Sequence, residues 1–196
     1  MNAVRRAREA DLHGMATTLA AAFADGPWLT WTVAADGRER RARELFAVHL
    51  QAVGLRHGRV WTTGDHAAVA AWSYSENAGE IEDALAPFAG LMLERLGDRA
   101  EAAAEAERLA ARLIPPEPHW ELGAIGVHPA RQRHGLGGAV LEPGLACCDA
   151  DGLPAALQTS VPANVAFYER RGFAVTEKLT IPGGGPPVWA MRREPR

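Results

Sequence analysis

The chain reads as an α/β (α+β) domain, and three observations carry that assignment. Short apolar runs bounded by Gly and Pro alternate with longer segments of helical spacing. At 196 residues the chain is long enough to bury a sizeable core as one domain over 1–196. Its 47% hydrophobic and 23% charged residues are ordinary for a globular protein.

Ala3 to Ala7 reads as a strand, and Asp11 as the cap of a helix reaching about Ala24. Arg38 to Val53 reads as a second helix. Gly58 to Thr63 and Ala67 to Tyr74 form a hairpin around Gly64-Asp65-His66. Ile81 to about Leu113, rich in Ala, Glu and Arg, is mostly helical and broken near Gly97. The proline-rich stretch from Ile114 to Pro118 cannot continue that helix. Trp120 to Val127 is the central strand, and Gly135 to about Ala150 the next helix, bent at Pro143-Gly144. Ala155 to Ser160 is a short strand, followed by a helix that Pro162 opens and Gly172 closes. Phe173 to Ile181 and Val188 to Arg192 are the last strands.

Composition excludes several classes. A net charge of −3 gives no general attraction for nucleic acid. No apolar run is long enough to span a bilayer, so no membrane partner is expected. Arg5, Arg6 and Arg8 are not followed by the apolar core of an export signal. Cys147 and Cys148 are adjacent, a poor disulfide with no metal-ligand spacing, which fits a cytoplasmic protein without a metal.

The most informative stretch runs from Ile125 to Leu141: an apolar strand, a Pro-marked turn, a glycine-rich loop bearing arginines, and a helix start. The first amides of a helix lack internal partners and carry its positive pole, so such a loop binds phosphate. It is not a Walker A loop, because it ends Gly137-Gly138-Ala139 without lysine. It is not a dinucleotide fingerprint either: Val140 stands where the third glycine belongs. What remains is Gln-x-x-Gly-x-Gly-Gly, Gln132 to Gly138.

A second signal lies downstream, where Asn164, Tyr168, Gly172 and Phe173 spell Asn-x-x-x-Tyr-x-x-x-Gly-Phe. Together the two segments resemble the GCN5-related N-acetyltransferases (GNAT), in the order and spacing of that superfamily. The element order fits as well, so the resemblance spans nearly the whole chain. It implies a central mixed, mostly antiparallel twisted sheet flanked by helices. Segments such as Gly58-Arg59-Val60-Trp61 and Leu157 to Asn164 look like the puromycin N-acetyltransferase-like branch, with departures at Gly26 and Gln158.

The resemblance implies acetyl-CoA as co-substrate and a small-molecule amine as partner, with a protein or peptide amine, a non-catalytic acyl-CoA sensor and a homodimer left open. Main-chain groups of Ile125, Gly126 and Val127 would pair with the pantetheine arm. Gln132, Arg133, His134, Gly135, Leu136, Gly137 and Gly138 would cradle the pyrophosphate, with Arg131 adding charge nearby. Asn164 would bond the pantetheine, and Tyr168 would protonate the departing thiolate.

On the acceptor side, an ammonium must lose a proton to a carboxylate or imidazole. Glu121 is the first candidate base and His119 the second, since strand alternation places both on one face. Gln158 and Ser160 alternate onto one face of the next strand as substrate contacts. Trp28 and Trp31 are candidates for an aromatic substrate wall, with Trp61 and Trp72 as further members.

Overall fold

The computed structural model describes residues 3–196. In chain order the elements are β1 (Val4–Arg6), α1 (Leu12–Phe23), α2 (Pro27–Thr32), α3 (Arg38–His49) and α4 (Leu55–His57), then the hairpin β2 (Gly58–Thr63) and β3 (Ala68–Tyr74). Three helices follow, α5 (Ala78–Leu85), α6 (Ala89–Leu96) and α7 (Ala100–Ala110). The chain ends with β4 (Trp120–Val127), α8 (Leu136–Asp151), β5 (Ala155–Thr159), α9 (Pro162–Glu169), β6 (Ala174–Thr180) and β7 (Pro187–Arg193).

The strands form one seven-stranded sheet, ordered β1-β2-β3-β4-β5-β7-β6. Every neighbouring pair is antiparallel except β4 and β5. This is the mixed, mostly antiparallel sheet expected above.

Alternation along β3 sends its side chains into two cores. Ala68, Ala70 and Trp72 join Leu122, Val140, Leu141, Leu145, Tyr168 and Met191 under α8 and α9. Val69 and Ala71 face the opposite side, where Met15, Leu19, Leu50 and Val60 are packed beneath α1 and α3. Close approach is purchased with glycine. A Cβ on Gly144 of α8 would run into the Trp72 indole, and one on Gly126 would sit 2.9 Å from Ala22 of α1. Helix α8 runs unbroken through Pro143 from Leu136 to Asp151.

Two expectations need correction. Asp11 makes no side-chain cap for α1. Its buried carboxylate instead accepts from both terminal nitrogens of Arg5 at 2.7 Å, from the Arg8 amide at 2.8 Å, and pairs with His66 Nε2 at 2.8 Å. The Arg5 guanidinium holds this carboxyl well below the usual range, since desolvation is outweighed. Trp72 lines no substrate wall, since it is 2% exposed at the centre of the core; Trp61 packs half-buried against the same cluster.

Candidate active site

The site begins with a fault in the sheet. The β3–β4 register pairs Ala71 with Ala124 and Trp72 with Leu122, so Gly123 is left as a bulge. Parallel pairing of β4 with β5 stops at Leu122 and Leu157, although both strands continue. The two strands part there. The edge of β4 from Gly123 to Val127 that faces β5 therefore has no strand partner, which leaves its main-chain groups free for an extended ligand. Ile125 and Val127 pair on their other side with Ala70 and Ala68 of β3.

The glycine-rich loop lies at the open end of this wedge. Arg133 has φ +64° and Gly135 φ +78°, so the chain winds through left-handed turns before α8 starts at Leu136. None of the amides from Arg133 to Gly138 has a hydrogen-bond acceptor among the described residues, and the next one, Ala139, closes the first helical bond to Gly135. This is a concave run of donors at a helix N-terminus. Nothing lies within 4 Å of where a Cβ on Gly135 would stand, so the loop surface is open at that point. The rim is shaped from within: Gln132 Nε2 donates to Val127 O at 3.2 Å, and His134 Nδ1 meets Gln132 O at 2.7 Å. Arg131 is turned away into an ion pair with Asp65 at 2.9 Å, so its charge tethers the loop to the β2–β3 turn. The residues present fit a diphosphate.

Across the wedge, α9 presents Asn164 exposed on its first turn and Tyr168 on its last. The Tyr168 ring is held edge-on by Phe167 at 5.1 Å and Phe173 at 5.8 Å. Burial pushes its phenol above the ordinary value, so the hydroxyl keeps its proton at neutral pH. Sequence reasoning missed Arg171, which closes the floor. Its guanidinium lies 3.8 Å from the Phe167 ring centre and donates to Phe167 O, and a Cβ on Gly138 would come within 2.5 Å of it.

On the other side of the wedge, His119, Glu121 and Gln158 line one small cavity with Leu113, Ala156 and Met191. Its volume of about 10 Å³ is room for a single water. His119 Nδ1 lies 2.7 Å from Glu117 O. A carbonyl can only accept, so the ring proton sits on Nδ1 and Nε2 carries a lone pair. That Nε2 is buried and has no partner among the described residues. Burial lowers the imidazole's pKa against the opposing pull of Glu121, and it raises that of Glu121 itself. Ser75 Oγ, another residue the sequence did not flag, fixes the His119 amide at 2.9 Å.

The remaining candidates are placed differently. Gln158 Nε2 donates to Ala110 O at 2.9 Å, which ties β5 to the last turn of α7. Ser160 is half-buried just beyond β5. Trp28 and Trp31 pack against Ala106, Leu113, Ile181 and Val188. Trp31 is also covered by the Arg99 guanidinium, 4.6 Å from its ring centre. Both cysteines are free, and burial pushes the Cys148 thiol up to about 12, so it is no thiolate nucleophile. No metal-holding group of His, Cys, Asp and Glu occurs among the described residues, and no described helix is long and apolar enough to cross a membrane.

Comparison with known proteins agrees with this geometry. Residues 106–173 match the acetyltransferase (GNAT) family model, a span that holds β4, the loop, α8, β5 and α9. The fold is similar to a histone acetyltransferase HPA2-related protein from Corynebacterium glutamicum, with TM-score 0.76, 22% identity, and 99% of this chain and 96% of that one covered. It is similar to a ribosomal-protein alanine N-acetyltransferase from Escherichia coli, with TM-score 0.58, 18% identity and 99% and 94% covered. It is also similar to a Drosophila melanogaster polyamine N-acetyltransferase, with TM-score 0.57, 14% identity and 97% and 98% covered. The acetyltransferase (GNAT) family model thus matches the segment over the wedge, and the fold around it is similar to that of these solved acetyltransferases.

Proposed function

We propose that the protein transfers the acetyl group of acetyl-CoA directly to a primary amine of a small molecule. The observation that carries this reading is the parting of β4 from β5 beside the unbonded amides of Arg133 to Gly138. The loop amides hold the diphosphate, and the free edge at Gly123–Val127 accepts the pantetheine arm, with Asn164 beside it. When bound, the coenzyme supplies the thioester.

The protein's own groups then handle protons. Glu121 faces the incoming ammonium. Its proton passes to the lone pair of His119 Nε2 through the cavity the two residues share, and the neutral amine attacks the thioester carbonyl. The C–S bond breaks, and the Tyr168 hydroxyl gives its proton to the sulfur. A primary amine on an aminonucleoside or similar antibiotic-like molecule is one acceptor of this kind, suggested by the segments shared with the puromycin N-acetyltransferase-like branch.

Thiol release across an amine panel tests the activity. Tyr168→Phe lowers kcat about a hundredfold while CoA affinity stays within about twofold. Equal kcat in that variant removes the phenol from the acid role.

A further inference from the structure

The connector between α7 and β4, residues 114–118, is not used by the mechanism above. Its sequence is Ile-Pro-Pro-Glu-Pro. The three prolines offer no backbone N–H and push the residues before them toward extended backbone, so the segment neither continues a helix nor joins the sheet. It is thinly attached as a result. The main-chain hydrogen bonds it makes among the described residues are Ile114 N to Ala111 O at 3.3 Å and His119 Nδ1 to Glu117 O at 2.7 Å. Its remaining polar tie is a side chain: the Glu117 carboxylate pairs with Arg192 of β7, which also donates to Glu194 at 2.6 Å.

This loosely tied segment covers a cavity. Ile114 and Pro115 line the small space that His119, Glu121 and Gln158 also line. The main chain of His119 is fixed from elsewhere. Its amide donates to Ser75 Oγ at 2.9 Å, and its carbonyl accepts from Ser75 N at 3.0 Å. The ring is a different matter. It is 1% exposed, its Nε2 is buried without a partner among the described residues, and Gln158 has turned its own Nε2 to Ala110 O. The contact that selects the ring tautomer is therefore Glu117 O, and the place of that carbonyl depends on what holds the segment down.

We propose that residues 114–118 are a strap closing this cavity, and that Arg192 is a positioning residue for His119. By holding Glu117, Arg192 keeps the carbonyl on Nδ1–H and leaves the lone pair on Nε2, shielded from water. When the strap lifts, water reaches both ring nitrogens and either can carry the proton. The effect on turnover rests on the acetyl-transfer reading, whereas closure and tautomer are properties of the protein alone.

Nitrogen-15 NMR on histidine-labelled protein tests this, in mildly alkaline solution where an imidazole is neutral. Of the seven histidines, His119 is identified by the signals lost in His119→Gln. Wild type shows a single tautomer with the proton on Nδ1. Glu117→Gln, which keeps the carbonyl and removes the charge, and Arg192→Met both give mixed tautomers. In both, kcat falls about fivefold, the upper end of what one partly exposed ion pair contributes, while CoA affinity stays within about twofold. Arg192→Lys stays close to wild type in tautomer and in kcat. A proton on Nε2 in wild type, a pure Nδ1–H tautomer surviving in both variants, or mixed tautomers with undiminished kcat overturns the proposal. Failure of the acetyl-transfer reading registers separately, as absent CoA binding or absent thiol release with every amine, and the tautomers are still read.

Discussion

The wedge between β4 and β5 and the helices α5 and α6 are held in different ways. The wedge is anchored in the interior: β4, β5, α8 and α9 contribute Leu122, Leu157, Leu141 and Tyr168 to one core, each at most 5% exposed. The run before it is not. No residue between Trp72 and Ala103 is buried. Polar tethers hold it instead: Arg41 to Glu94 O, Arg95 to Glu44, Ala34 N to Leu96 O, and Arg99 over Trp31. On the proposed reading the coenzyme side needs fixed main-chain geometry, and dense packing supplies it. Helices α5 and α6, by contrast, have surfaces that can change without disturbing the core. The family model's span, which begins only within α7, follows the same division.

The comparison breaks most sharply at Gly144. Gly144→Val forces a branched side chain into the Trp72 indole and costs about 3 kcal/mol, read by chemical denaturation. A loss below about 1 kcal/mol would mean that α8 is free to shift and that the wedge is less rigid than its packing implies.

The Asp11 network gives a smaller, pH-dependent effect. Asp11→Ala costs about 2 kcal/mol at neutral pH by removing the partner of Arg5 and His66. The carboxyl is depressed in the folded state, so its contribution is fully present above the ordinary aspartate range and is lost as pH falls below it. The gap between wild type and variant therefore shrinks in acid. A gap that widens there refutes the ion-pair account.

The smallest effect belongs to the helical run. Leu93, 59% exposed on α6, tolerates Leu93→Ser within about 0.5 kcal/mol. Amides of α5 and α6 exchange hydrogen through local openings far below the global free energy, whereas those of β4 and β5 approach it. Uniform protection across both regions would erase the distinction.

Legibility in the sequence follows the same line. Trp120–Val127 is recovered to the residue and α8 to within one at each end, because glycine punctuation and strand-length apolar runs are local signals. Helix α2 escaped notice, since Pro27–Thr32 is too short to show a period. The Asp11 cap failed because its carboxylate has tertiary partners, one of them in the β2–β3 turn. The side on which His119 and Glu121 stand is readable from alternation, whereas the seat of α7 on β5, made by Gln158 and Ala110 O, exists only once the two elements have docked. Arg171 is similar: its place under Gly138 depends on α9 packing against α8.

The parted strands carry a thermodynamic consequence. On the proposed reading a coenzyme completes the central rung of the sheet, and melting is then coupled to occupancy by RT ln(1 + [L]/Kd). At a hundredfold excess over Kd that adds about 2.7 kcal/mol, enough to alter how often the chain unfolds and meets a protease. On the proposed reading, the lifetime of this enzyme inside a cell would rise and fall with the supply of the very thioester it spends.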